Sequence, residues 1–136
     1  PKRKSSNRYG IYSGRVEEQY VPFVLPQEHG NKCDTRWATL TRGDGKGLAF
    51  VGLPSINFSV HQHDNIYDAQ HPYELNEIDN VIVDLDHRIS DIDGRYELVQ
   101  SQDYSFGFML KPVMEKQPDP AALRKEAFLS VVESFE

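Results

Sequence analysis

Alternation of apolar and polar positions runs through most of the chain, and a four-residue period appears only at its end. Residues 15–25 read as a strand with a proline irregularity: Val21, Phe23 and Leu25 alternate around Pro22, Val24 and Pro26. A proline has no N–H for a ladder, so this is an edge or bulged strand. Gln27 to Asn31 then form a polar turn. Residues 34–41 are a second strand, with Thr35, Trp37, Thr39 and Thr41 on one face and Arg36, Ala38 and Leu40 on the other. Gly43, Asp44 and Gly45 make a hairpin turn. Residues 47–52 form the next strand, which Pro54 is expected to break.

Ile56, Phe58 and Val60 share a side of the following strand, with Asn57 and Ser59 on the other. A histidine-rich connection spans 61–71, and 73–77 is a short helical turn or strand. In 80–86, Val81, Val83 and Leu85 face one way, and Ile82 opposite them implies burial on both sides. An acidic connection over 87–102 leads to a strand at 104–110, where Tyr104, Phe106, Phe108 and Leu110 share a face and Pro112 marks the end. The period then changes. Asp119 is placed to cap a helix whose first position is Pro120. Leu123, Ala127, Val131 and Phe135 recur every four residues, flanked by Phe128 and Val132, as one apolar face. The fold class expected is all-β, an antiparallel β-sandwich with a short C-terminal helix. The divisions are an extended segment 1–14, a sandwich 15–113, and a linker with helix over 114–136.

At 136 residues the chain has room for one core. Its 15 basic and 21 acidic residues give a net charge of −6, which argues against a nucleic-acid partner needing a basic stripe. The basic residues Lys2, Arg3, Lys4 and Arg8 form a solvated tail. No apolar run approaches the roughly 20 residues of a membrane span, so no membrane partner is expected. Cys33 stands alone, which excludes an internal disulfide and a CxxC metal knuckle. The chain opens on proline instead of methionine, which suits a processed product or an excised piece.

Candidate chemistry is sparse. His61 and His63 would share a strand face, and His71 or Asp68 could complete a metal set, but no fixed ligand spacing is matched and surface histidines are the commoner outcome. Asp84, Asp86, Asp91 and Asp93 suggest calcium. Counted from Asp84 the sixth position is Ile89, and counted from Asp91 it is Tyr96, where a calcium loop needs glycine. Glu17, Glu18 and Glu28 supply carboxylates, yet nothing in their spacing separates an acid from a nucleophile. No nucleophile elbow or phosphate loop is present. Catalytic residues and metal ligands are therefore both expected to be none. The sequon Asn57-Phe58-Ser59 lies in a core-facing strand and is expected to be idle. Trp37 has two readings, a core or interface tryptophan and a platform for a sugar ring.

The stretch Val16 to Leu40, containing Pro26, Gln27, Glu28, Gly30 and Arg36, resembles the C-terminal, small-chain-like fifth domain of the large β-galactosidases of glycoside hydrolase family 2. That family runs a strand into a Pro-(Gln/Ser)-Glu-Asn-Gly turn and then a strand bearing an arginine; here His29 replaces the asparagine. Ile56 to Ser59, the Ala69–His71–Leu75 spacing, the strand around Asp84, and Tyr104 to Val113 are similar to later motifs of the same domain.

The resemblance implies part of a galactose-mutarotase-like supersandwich. The parent would be a retaining β-galactosidase whose catalytic glutamates lie in a preceding barrel, outside this chain. It implies that this piece is inactive alone, gives scaffold, and lends one wall to the sugar site through Trp37, His71, Asp91, Asp93 and Tyr96, with Pro26, Glu28, Gly30 and Arg36 as structural residues. The family's Gly-(Val/Ile)-Gly-Gly-Asp-Asp-Ser-Trp loop corresponds to residues 87–96, HRISDIDGRY, which have neither the glycine pair nor the tryptophan. No cofactor is expected in this piece, although the parent family often uses Mg and Na ions. The partners implied are galactosides, through the parent enzyme, and other domains or the catalytic chain of that enzyme. The compartment implied is bacterial, cytoplasmic or periplasmic. Two rival readings stand beside this one: a stand-alone carbohydrate-binding sandwich using Trp37, Tyr20 and the 61–71 loop, and an oligomerisation piece. In the oligomerisation reading the C-terminal helix docks a neighbouring chain; an excised piece of a supersandwich is expected to expose apolar strand surface where the missing half packed, and to self-associate over it.

Overall fold

A computed structural model of the chain describes residues 9–19, 21, 30–87, 103–114 and 118–133. Its regular elements are β1 (Lys32–Thr41), β2 (Gly47–His63), β3 (Glu77–Asp86), β4 (Gly107–Val113) and α1 (Pro120–Glu133). The four strands make one antiparallel sheet in which β2 pairs with each of the other three. The described architecture is thus mostly β with a C-terminal helix, consistent with an all-β sandwich. By contact the chain divides into two compact units. One is Pro1–Lys32 with Phe58–Leu85, the other Cys33–Asn57 with Asp86–Glu136.

The hairpin between β1 and β2 forms where the glycines place it. The Gly45 N–H donates to the Arg42 carbonyl at 2.9 Å, and Asp44 Oδ1 accepts from the Lys46 N–H at 3.1 Å. Gly45 has φ 84°, a value that glycine adopts without a Cβ clash.

Several boundaries differ from the sequence expectation. Val16–Gln19 is a 3-10 turn, not part of a strand. Glu18 closes it by accepting from the Arg15 N–H at 2.9 Å, while the Gln19 amide donates to the Arg15 carbonyl at 3.1 Å. Local side-chain bonds of this kind compete with a ladder and win where alternation is weak. The remainder of that expected strand, 20 and 22–25, lies outside the described residues.

Pro54 does not break the chain into two strands: β2 continues through it with a cis Leu53–Pro54 peptide. The ladder with β4 ends at the Leu53–Gly107 pair, so the missing N–H falls just beyond it. The Pro54 carbonyl accepts from Arg124 Nη1 at 3.2 Å. β4 likewise passes through Pro112, which pairs with Leu48, and begins at Gly107 instead of Tyr104. Among the described residues β4 pairs only with β2, and an edge strand accommodates proline. The segment expected at 73–77 is a 3-10 turn, Pro72–Glu74, ahead of β3.

The second unit is built on two-residue alternation. In β2 and β4, Ala49, Val51 and Val113 face α1 and form a core with its Leu123 and Ala127, against which Trp37, Leu53 and Met109 pack. The α1 start follows the expectation, with Asp119 Oδ1 accepting from the Ala121 N–H at 3.0 Å. The apolar face of α1 is only partly used: Leu123 and Ala127 are buried, whereas Phe128, Leu129 and Val132 are exposed. Leu129 lies off the expected stripe, so the helix is apolar on more than one side, and a few strands cannot cover all of it.

In the first unit Phe58, Val60, Ile66 and Ala69 are buried. Asn65 braces the passage from β2 to β3: its Nδ2 donates to the Glu74 carbonyl at 2.8 Å and its Oδ1 accepts from the Asn76 N–H at 2.7 Å.

Candidate functional site

The densest polar chemistry lies where β2 runs beside β3. Ser59, His61 and His63 occupy alternate positions of β2 and so share a face, and Asp84 comes from β3. Ser59 Oγ donates to Asp84 Oδ2 at 2.8 Å. His61 Nε2 contacts the same oxygen at 3.1 Å. His61 Nδ1 accepts from the His63 backbone N–H at 3.3 Å, which makes Nε2 the protonated nitrogen and the donor to Asp84. His61 is 3% exposed, so its pairing with a carboxylate satisfies a polar ring that burial would otherwise penalise.

This arrangement holds the sheet together and is not a proton relay. In a Ser–His–Asp relay the imidazole stands between hydroxyl and carboxylate, one nitrogen to each. Here hydroxyl and imidazole converge on a single carboxylate oxygen, and the remaining imidazole nitrogen takes a backbone N–H. The Ser59 hydroxyl directs its proton to Asp84 and not to an imidazole nitrogen.

Beside it is a small cavity of about 280 Å³, lined by His61, Gln62 and His63 of β2, Glu77 of β3, and Val16 and Glu17 of the first 3-10 turn. Burial pushes the His63 imidazole below its ordinary value, and His61 adds to the effect; Glu77 and Asp64 pull the other way. Glu17 is held by Arg15 Nη1 at 2.8 Å. The cavity therefore offers hydrogen-bonding groups at a size below that of an ordinary ligand pocket. The stacked rings of His61 and His63, 6.4 Å apart, do share a face as their spacing implies. Both nitrogens of His61 are engaged, however, and among the described residues no group of three or more His, Cys, Asp or Glu is placed to hold a metal ion.

The other singled-out residues are dispersed. Trp37 packs on the core of the second unit. His71 belongs to the first unit, exposed at the entry to the Pro72–Glu74 turn, and stacks on Tyr73 at 5.2 Å. Tyr73 is 82% exposed. Glu74 fixes this corner by accepting from the N–H groups of Gln70 and His71 at 2.8 and 3.2 Å. Gly30 has φ 79°, and a Cβ there would stand 2.5 Å from the Gln19 carbonyl oxygen. Lys32 Nζ donates to the Gly30 carbonyl at 2.8 Å, and burial lowers that ammonium's pKa. Arg36 is exposed, and its carbonyl accepts from Arg124 Nη1 at 3.3 Å. Asp91, Asp93, Tyr96, Pro26 and Glu28 lie outside the described residues.

The sequence reading did not assemble the Ser59–His61–Asp84 cluster. Its signal was the alternation Asn57, Ser59, His61, His63 opposite Ile56, Phe58 and Val60, a polar face on an otherwise apolar strand. Asn57 is buried, and its Oδ1 accepts from the N–H of Asp34 at 3.2 Å. Asp34 is left-handed (φ 52°), a local departure from the ladder of the kind found at a bulge.

Residues 1–110 match the family model described as beta galactosidase small chain. The chain is 32% identical over 125 residues to a β-galactosidase of Priestia megaterium, covering 82% of the chain and 12% of that protein. It is 28% identical over 117 residues to a β-galactosidase of Streptococcus thermophilus, covering 76% and 11%. A β-galactosidase of Lactobacillus delbrueckii subsp. bulgaricus is 36% identical over 81 residues, covering 55% of the chain and 8% of the relative. The chain thus spans about a tenth of the length of these curated relatives.

Proposed function

The chain belongs to the beta galactosidase small-chain family, and we propose that it is the non-catalytic C-terminal portion of a retaining β-galactosidase of glycoside hydrolase family 2. The observation that carries this reading is the match over residues 1–110 to a family described as a small chain, together with coverage of 12% and 11% of full β-galactosidases. In this reading the hydrolytic carboxylates belong to the remaining polypeptide, as do any Mg or Na ions, and the substrate is a terminal β-galactoside.

The chemistry of the described residues supports that division. Retaining hydrolysis needs two carboxyl groups about 5 Å apart, one free to protonate the leaving oxygen and one free to attack. Asp84 is committed to Ser59 and His61, Glu17 to Arg15, and Glu74 to two backbone amides. The chain's own contribution is scaffold and one wall of the sugar site. The exposed His71–Tyr73 stack suits the wall, because an aromatic face in water is a surface on which a sugar ring can rest. Trp37, packed on the core, serves the scaffold.

Incubating the isolated chain with a chromogenic β-galactoside tests the reading. No turnover above buffer is expected. Turnover at an enzymatic rate by the purified 136 residues would place catalytic carboxylates within this chain and end the proposal.

A further inference from the structure

The recess beside His61 and His63 lies within the first unit, and its walls come from separate stretches of chain. β2 supplies Gln62 and His63, β3 supplies Glu77, and the Val16–Gln19 turn supplies Val16 and Glu17. Pro72 and Leu75 close it from the link between β2 and β3. That link is braced by its own bonds. Asn65 holds the Glu74 carbonyl and the Asn76 N–H, and the Asp64 N–H donates to the Asn76 carbonyl at 3.3 Å. Walls fixed in this way cost little to order when a ligand enters. The polar groups of the recess differ in what they have left to give. Glu17 is paired with Arg15, and both nitrogens of His61 are engaged. Among the described residues the side chains of Gln62 and Glu77 make no hydrogen bond. The His63 imidazole, lowered by burial, is neutral at pH 7 and adds no charge. Val16, Pro72 and Leu75 give the recess an apolar side.

We propose that this recess binds one free hexose in its ring form, with Glu77 and Gln62 taking the ring hydroxyls and Pro72 and Leu75 meeting its C–H groups. The site uses only residues of this chain and does not rest on the function proposed above. A carboxylate accepts from two neighbouring hydroxyls at once, and a side-chain amide brings both a donor and an acceptor. A pyranose carries hydroxyls around its rim and C–H patches on its faces, so a lining that is polar on one side and apolar on the other matches it. The volume of about 280 Å³ restricts the occupant to a single ring, since pockets for larger ligands begin at roughly 300 Å³. Other classes of ligand fit less well. An anion would meet Glu17 and Glu77, and an ammonium would gain only the one carboxylate that Arg15 does not already match. An apolar ligand would take the Glu77 carboxylate out of water without a partner. A metal ion lacks the three ligands it needs among the described residues.

The test titrates the isotope-labelled full chain with D-galactose, D-glucose and, separately, methylammonium, and follows the amide resonances. Expected are saturable shifts at Gln62, His63 and Glu77 with hexose, a dissociation constant in the millimolar range, and no saturation by methylammonium. Glu77→Ala and Gln62→Ala lie outside the buried core and should each weaken hexose binding at least tenfold with unchanged circular dichroism. Tyr73→Ala, on the exposed stack with His71, should leave it unchanged. Binding that survives in the folded Glu77→Ala and Gln62→Ala variants but is lost in Tyr73→Ala moves the sugar to that stack and overturns the assignment of the recess. Saturation by methylammonium at the same residues overturns the class of ligand. The absence of saturable shifts with either hexose overturns the site. The function proposed above is decided by turnover of a chromogenic β-galactoside, so the failure of one is not read as the failure of the other.

Discussion

Asp84 is the residue on which the first unit's polar interior depends. One of its oxygens receives both Ser59 and the buried His61, and hydrogen bonds to an ionised acceptor exceed neutral ones in strength. Asp84→Ala strands both donors, so we expect it to lower the unfolding free energy by about 3 kcal/mol. Asp84→Asn keeps one oxygen acceptor and should lose less. Urea titration of both variants checks this, and an Ala variant as stable as wild type would contradict the reading. His63 gives a pH signature. Its imidazole is held below the ordinary value by burial, with His61 adding to the effect, so the unfolded chain takes up the proton first as pH falls. Stability from this group is complete above about pH 6.5 and is lost as pH falls through the lowered folded value. The drop in melting temperature between pH 7.5 and pH 5 should therefore be smaller in His63→Gln than in wild type.

Among elements, α1 is the one whose start is set most locally. Asp119→Ala removes the side-chain acceptor of the Ala121 N–H and should cost about 1 kcal/mol, read as a lowered melting temperature with native circular dichroism retained. That cap was legible because it depends on Asp119-Pro120 alone, as was the hairpin at Gly43-Asp44-Gly45, whose bonds stay within five residues. The extent of β2 was not legible. Pro54 reads as a break by local rules, whereas its tolerance depends on where the β4 ladder ends and on Arg124, 70 residues away. The candidate site divides in the same way. That His61 and His63 share a face follows from their spacing, but their partner Asp84 stands 23 positions from His61, and no local pattern joins them. The apolar side of Tyr104, Phe106, Phe108 and Leu110 was visible as a stripe, yet alternation does not say whether a stripe is buried or open.

On the scale of the whole molecule, the described residues form a four-stranded sheet with a helix packed on part of it, in a chain of the beta galactosidase small-chain family. The buried His61 and Ser59 bond Asp84 between β2 and β3, and the proposed function places catalysis in polypeptide outside the chain. The most direct test is to add increasing amounts of this chain to the remaining β-galactosidase polypeptide and follow hydrolysis of a chromogenic β-galactoside. Neither part alone is expected to turn over substrate appreciably, and activity is expected to rise saturably on mixing, to a plateau near equimolar chain. Full activity of the remaining polypeptide without this chain, unchanged on its addition, would contradict this expectation.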